Sequence, residues 1–245
     1  MINAFIACRL GSKRVPFKNL RILAGKALYE YITDEALESS EVDNLFLNTD
    51  SVHIINAAKE KYKDRLNYYL RPAELGTSEA TLDAYVYDFM KSSPGEITIF
   101  LNPCSFNLSA KTIDSAVKFF KEKNLDSCVA SHEIQTHCFF DNKPMNFDFE
   151  RKQPRSQDLT PLHAMTSGFF IWKNDTFISN YEKLGFANFF GNFESYAVSK
   201  FESFDVDSEE DFLIAEKILT GSSSNKVNFH KQISDHVRNG LLESN

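Results

Sequence analysis

The sequence predicts a mostly parallel α/β sheet, and three features of its patterning predict it. Short apolar runs alternate with stretches of helical spacing that last about ten to fifteen residues. The runs end in polar or Gly-rich loops, as strands do when they feed crossover helices. The length, 245 residues, fits one large α/β domain with at most a small appendage.

Residues 4–8, Ala4-Phe5-Ile6-Ala7-Cys8, are apolar without alternation, the mark of a strand covered on both faces. Leu28, Tyr31, Ile32, Ala36 and Leu37 recur at helical spacing and predict a helix over 27–39. Leu45-Phe46-Leu47 reads as a second strand, closed by Asn48-Thr49-Asp50. A helix over 51–62, a strand over 67–70 and a helix over 79–91 follow. The strand at 97–101 is the clearest of all, and a helix over 110–123 and a strand at 128–130 come after it.

Between residues 132 and 166 the rhythm breaks. The stretch is polar, holds Pro144, Pro154 and Pro161, and is too long for a structureless loop inside a compact domain. It reads as a β-rich arm that contacts a second subunit. The βα pattern resumes at Gly168-Phe169-Phe170-Ile171-Trp172. Phe204-Asp205-Val206-Asp207 reads as a last strand leading into a helix over 208–219. Residues 1–221 thus form the domain, and 222–245 read as a linker and a loosely held helix.

Composition narrows the partners. A formal charge of −7 disfavours nucleic acid. Four cysteines without a C-x-x-C pair read as reduced thiols. The apolar N-terminus is too short for a signal peptide or a membrane span, so cytoplasm is the expected location. The 23 Phe carry no functional weight.

In open α/β sheets ligands bind beyond the carboxyl ends of the strands. The loop after the first strand, Arg9-Leu10-Gly11-Ser12-Lys13-Arg14-Val15-Pro16-Phe17-Lys18-Asn19, concentrates four cations in an acidic protein. Gly11 is expected to take unusual backbone angles and allow close approach. The loop reads as an anion site for a triphosphate; a solvated basic turn is the alternative. It lacks the spacing of a Walker loop. With the period-two geometry of a strand, Asp205 and Asp207 point the same way and make a platform for Mg²⁺. The alternative is an Asp that caps the following helix. No H-E-x-x-H, G-x-S-x-G or G-x-G-x-x-G is present.

Taken in order, these residues resemble the acylneuraminate cytidylyltransferase family, the CMP-sialic acid synthetases and their relatives for bacterial nonulosonic acids. The family motif A-R-x-x-S-K-x-x-P-x-K-N-L is matched by Ala7 and then Arg9, Ser12, Lys13, Pro16, Lys18, Asn19 and Leu20, with Cys8 between Ala7 and Arg9. Gly25, Lys26 and Leu28 match G-K-x-L; Asn48-Thr49-Asp50 stands for S-T-D; Arg71-Pro72-Ala73-Glu74-Leu75 matches R-P-x-x-L; and Phe204-Asp205-Val206-Asp207 stands for I-D-I-D. Together they cover roughly residues 2–219.

The resemblance implies a Rossmann-like sheet of the nucleotide-diphospho-sugar transferase type and transfer of CMP from CTP to an acidic nine-carbon 2-keto sugar. It implies that Arg9, Lys13 and Lys18 hold the triphosphate and, with Asp207, serve catalysis. Ala7, Gly11, Ser12, Asn19, Arg71 and Ala80 complete the nucleotide site, and Asp205 and Asp207 bind Mg²⁺. Asn102, Arg155, Phe189 and Phe190 are the implied sugar contacts, Arg155 from a neighbouring subunit of a homodimer; for the Phe pair, ordinary core is the alternative. Polysaccharide biosynthesis is the implied setting.

The sequence also departs from the family. Leu101-Asn102-Pro103-Cys104-Ser105-Phe106-Asn107-Leu108 stands where members have L-Q-P-T-S-P-L-R. The departure is expected to change the wall that faces the sugar. Ser167 stands for an Asn before Gly168, and Thr77-Ser78-Glu79-Ala80 displaces a carboxylate by one place. A 3-deoxy-manno-octulosonate cytidylyltransferase and a nucleotide-binding paralogue without turnover are the rival readings.

Overall fold

The computed structural model describes residues 1–12 and 15–221; Lys13, Arg14 and the segment 222–245 lie outside the described residues. Strand β1 (Ile2–Ala7) is an interior strand of a seven-stranded sheet. The chain then runs through a small hairpin of β2 (Ile22–Leu23) and β3 (Lys26–Ala27), whose Ala24-Gly25 turn has φ of 45° and 93°. Positive φ at both turn residues matches the right-handed twist of the flanking strands. Helix α1 (Leu28–Glu38), β4 (Asn44–Thr49), α2 (Val52–Tyr62) and β5 (Asn67–Leu70) follow, then α3 (Leu82–Ser92), β6 (Ile97–Leu101) and α4 (Ala110–Glu122).

In space β4 and β5 lie to one side of β1 and β6 to the other, all four parallel. The strand order reverses direction between β5 and β6, so a crevice opens above the carboxyl ends of β1 and β6.

The sheet has two covered faces, which explains the unbroken apolar runs. Ala4 and Ile6 join Leu45, Leu47, Ile99 and Leu101 under α1, α2 and α4. Phe5 and Phe100 point the other way, into an aromatic layer with Phe89 of α3 and Phe177 of the later helix α5 (Asn174–Leu184). Part of the high Phe content fills that layer.

Beyond β6 the sheet continues through β10 (Leu162–Lys173), β7 (Ser127–Ile134) and an edge strand β11 (Phe193–Ala197). The expected irregular stretch is partly sheet. The ends of β7 and β10 pair out to Ile134 and Leu162, and the hairpin of β8 (Phe139–Phe140) and β9 (Lys143–Pro144) lies between them. Strand β10 runs antiparallel to both neighbours, a direction that periodicity does not encode. The sequence reading missed β11, a half-exposed edge strand of Phe-Glu-Ser-Tyr-Ala with weak alternation.

The predicted strand at 204–207 is a correction. These residues pair with no strand; side chains take several of their backbone groups instead. Val206 N–H donates to Asp205 Oδ1, Asp207 N–H to Asp211 Oδ2, and Lys18 Nζ donates to the Val206 carbonyl. Val206 is fully buried, so the in-out alternation survives without a ladder. Helix α6 (Glu209–Thr220) follows, started by a capping box of Ser208 and Asp211. Among the described residues no helix is long and apolar enough to cross a membrane.

Candidate active site

Above the carboxyl ends of β1 and β6 lies a cleft of about 540 Å³. Ala7, Arg9, Ser12, Lys18, Asn19, Arg71, Ala80 and Asn102 line it, as do Leu75, Thr77, Ser78, Leu82, Tyr85, Phe100, Pro103 and Cys104. Of the second group, Leu82, Tyr85 and Phe100 stand outside every motif of the sequence, because they lie within α3 and β6 and reach the cleft only once those elements pack together.

The basic loop is fixed from below. Leu10 N–H donates to Asp50 Oδ1 at the end of β4 (2.8 Å), and Asn19 Nδ2 donates to the Arg9 carbonyl (3.3 Å). Asp50 in turn leaves no room for a side chain at Gly76, where a Cβ would sit 2.5 Å from Asp50 Oδ2. Gly11 does not play the part expected of it. It is exposed, outside the cleft lining, and among the described residues, its chain neighbours aside, no atom lies within 4 Å of where its Cβ would be. The unusual backbone falls on Phe17 instead, with φ of 53°, just before the turn Lys18–Leu20.

Arg71 is 4% exposed beneath the cleft. It donates to the carbonyls of Asn48 (3.1 Å) and Leu75 (3.4 Å), and its guanidinium lies 4.9 Å from the Tyr85 ring centroid. Burial lowers its pKa from the usual arginine range, while Tyr85 and Asp50 work the other way. Burial also pushes the Tyr85 phenol up to about 12, so it stays protonated and able to donate.

Lys18 joins the cleft to the acidic segment. Its Nζ donates to the Val206 carbonyl (2.6 Å) and to Asp207 Oδ1 (3.1 Å). Burial works against its charge, but Cys104 and Asp207 beside it hold the pKa above the usual lysine value. Asp205 accepts from Ser167 Oγ. Burial raises its carboxyl pKa and the neighbouring Asp207 charge adds to the rise, while Ser167 and Lys18 oppose it. The two carboxylates sit behind Lys18 rather than in the cleft lining itself.

The altered segment after β6 divides in two. Asn102 reaches the cleft, but its Oδ1 accepts from Cys104 N–H (3.0 Å), closing a turn that a longer amide would not close in the same way. Cys104 donates its thiol hydrogen to Asn19 Oδ1 (3.7 Å), and burial pushes that thiol up to about 12. Phe106 and Leu108 do not face a sugar wall: both are buried in the core, because apolar side chains there gain more from packing than from lining a polar cleft. Phe106 packs edge-on against Tyr31 and Phe204.

The remaining sugar candidates lie elsewhere in this chain. Arg155 is exposed and paired with Asp158 in the arm (2.8 Å), outside the cleft. Phe190 packs against the aromatic layer, while Phe189 touches Phe170 and Phe193 but is 51% exposed and belongs to no core cluster.

A family model described as Cytidylyltransferase matches residues 4–190. Over 217 residues the chain is 28% identical to an N-acylneuraminate cytidylyltransferase of Streptococcus agalactiae serotype III, covering 85% of this chain and 51% of that protein. It is 26% identical over 189 residues to a pseudaminic acid cytidylyltransferase of Campylobacter jejuni subsp. jejuni serotype O:2, covering 71% of this chain and 81% of that one. The chain spans about half the length of the first of these relatives. A solved CMP:2-keto-3-deoxy-manno-octonic acid synthetase complexed with CTP superposes with a TM-score of 0.66 at 15% identity, over 89% of this chain and 98% of that chain, a likeness of fold.

Proposed function

We propose, because this chain belongs to the cytidylyltransferase family, that it transfers CMP from CTP to an acidic nine-carbon 2-keto sugar and releases pyrophosphate. The observation that carries this reading is the cleft at the sheet's switch point, where Arg9, Lys18 and Arg71 bring three cations to one wall of an otherwise acidic protein. The relatives named for an N-acylneuraminate and for pseudaminic acid both act on sugars of this chemical class.

The anomeric hydroxyl attacks the α-phosphorus in line and pyrophosphate leaves. Negative charge grows on the α-phosphate oxygens and on the leaving group. Lys18, held by Val206 and Asp207 before the reaction begins, offsets it together with Arg9 from the same cleft. Buried Arg71 and partly buried Tyr85, both lining the cleft, orient the nucleotide. Lys13 belongs to the same loop on sequence grounds and lies outside the described residues.

Asp205 and Asp207 fit a divalent cation such as Mg²⁺. Both are hard oxygen donors, and burial, with the Asp207 charge adding to it, raises Asp205 even with Lys18 nearby. Among the described residues no third acidic, His or Cys ligand completes a cluster, which suits a metal that takes its remaining ligands from phosphate and water. When bound, the metal supplies charge neutralisation on the phosphates.

The test is pyrophosphate release with CTP, Mg²⁺ and a panel of acids: N-acetylneuraminate, its deaminated analogue, legionaminic and pseudaminic acids, and 3-deoxy-manno-octulosonate. Asn102 is a methylene shorter than the family's Gln, about 1.5 Å of reach, and its oxygen is committed to Cys104. A misplacement of about 1 Å at a reacting site costs on the order of a hundredfold. N-acetylneuraminate is therefore expected to trail another nine-carbon acid in kcat/KM. Preference for the eight-carbon acid would refute the nine-carbon assignment, and no release with any acid would favour a binding protein without turnover.

The arm carries Phe139, Phe140, Met145 and Phe149, each more than half exposed. So much apolar surface on one projection supports docking of a second copy. A dimer is expected by light scattering; a monomer at tens of micromolar would contradict it.

A further inference from the structure

The segment that carries Asp205 and Asp207 belongs to no strand, so something other than a ladder must hold the two carboxylates still. Its downstream end is fixed by the capping box of α6 and by Val206, which is buried among Leu23, Leu28, Cys104, Phe106 and Phe212. Its upstream end is a tight turn. Ser203 N–H donates to the Ser199 carbonyl (2.9 Å) and Phe204 N–H to the Phe201 carbonyl (3.3 Å).

That turn is bolted to the start of α4 by one side chain. Glu202 Oε1 accepts from Ser109 N–H (3.2 Å), Ser109 Oγ (2.9 Å) and Thr112 Oγ1 (2.6 Å), while Oε2 accepts from Ser199 Oγ (2.9 Å). Four donors converge on a carboxylate ninety or more residues away in sequence from three of them. The carboxylate also sits at the amino end of a thirteen-residue helix, where negative charge is favoured. Asn107, one of the residues that replace the family's Pro-Leu-Arg, adds a second bolt by donating to the Phe201 carbonyl, and Phe106 packs on Phe204.

We propose that Glu202, seconded by Asn107, is a positioning residue that sets the geometry of the Asp205–Asp207 pair and so the affinity of that pair for a divalent cation. The second half of the altered segment, at Phe106 and Asn107, has in this chain become part of the anchorage of the acidic segment, while Asn102 stays at the cleft. The proposal rests on the reading of Asp205 and Asp207 as metal ligands. Partners beyond the first ligand shell are commonly worth tenfold to a hundredfold in metal affinity or activity.

The choice of variants follows from the hydrogen bonds. Glu202→Ala removes all four acceptor contacts. Glu202→Gln keeps an amide oxygen where Oε1 receives three of them, and its NH₂ group can donate to Ser199 Oγ once that hydroxyl turns. The experiment is a Mn²⁺ titration followed by electron paramagnetic resonance, with CTP present and no acceptor sugar, alongside the Mg²⁺ concentration that half-saturates pyrophosphate release in the complete reaction. The wild type, Glu202→Ala, Glu202→Gln, Asn107→Ala and Asp207→Asn are compared.

Glu202→Ala is expected to weaken Mn²⁺ binding and to raise the half-saturating Mg²⁺ by about tenfold or more. Asn107→Ala should move both in the same direction by less, and Glu202→Gln should stay within about twofold of the wild type. An unchanged metal requirement in Glu202→Ala, with Asp207→Asn impaired, overturns the positioning role and leaves a purely structural one. If Asp207→Asn also binds Mn²⁺ as the wild type does, the ligand assignment itself has failed. Should Glu202→Ala not fold, Asn107→Ala decides: an unaltered metal requirement there overturns the proposal.

Discussion

Replacing Asp207 by Asn is expected to lower kcat by about a thousandfold while the melting temperature stays within a few degrees of the wild type. The change keeps the volume of the side chain and deletes its charge. Loss of a carboxylate from a metal site of this kind removes several kcal/mol of transition-state stabilisation, and about 4 kcal/mol corresponds to a thousandfold. Folding loses less. The Lys18–Asp207 pair joins an ammonium that is 13% exposed to a carboxylate that is 45% exposed, so solvent screens much of its strength. The backbone of Asp207 remains tied to Asp211. Pyrophosphate release and thermal unfolding of the same preparation provide the check. A folded variant with near-normal release would remove Asp207 from the reaction.

Lys18→Met should show the second-largest effect, a fall in kcat/KM for CTP of about a hundredfold to a thousandfold. Methionine keeps the length of the stem and its packing but brings no charge to the phosphates, and one lost electrostatic contact of this type costs about that much. Some stability is lost as well. The Val206 carbonyl loses its donor, and Asp205 and Asp207 face each other without the cation that offsets their repulsion. A drop of a few degrees is expected. A much larger drop with unchanged turnover would make Lys18 a buttress of the acidic segment and nothing more. Running the variant beside Asp207→Asn separates the two functions, because only Lys18 is expected to affect CTP binding measured without metal.

Some of this chain was open to a reader of the sequence, and the reason is local physics. The strand at 97–101 and the strand at 67–70 lie where the sequence places them, since short runs dominated by apolar or aromatic residues between turn signals constrain the choice. The start of α4 announces itself through Ser109, and the start of α6 through Ser208 and Asp211, because caps act within one turn. The cations of the first loop were visible as chemistry, and Arg9, Ser12, Lys18 and Asn19 do meet in one cleft. Gly11 shows the limit: its conformational freedom was assumed from its identity, and the fold spends the unusual angle on Phe17.

The sequence by itself determined the order of the elements, the βα rhythm that opens a crevice between β1 and β6, and the residue types gathered at its rim. These follow from periodicity, capping and turn chemistry, all of which act over a few residues. Only the tertiary structure decided the antiparallel direction of β10, the edge strand β11 and the conversion of 204–207 from a strand into an unpaired segment held by side chains. The same holds for the approach of Lys18 to Val206 across 188 residues of sequence and for the four donors that converge on Glu202. Such contacts depend on which surfaces meet once the sheet has closed, and a backbone group left without a ladder takes whatever partner folding brings within reach.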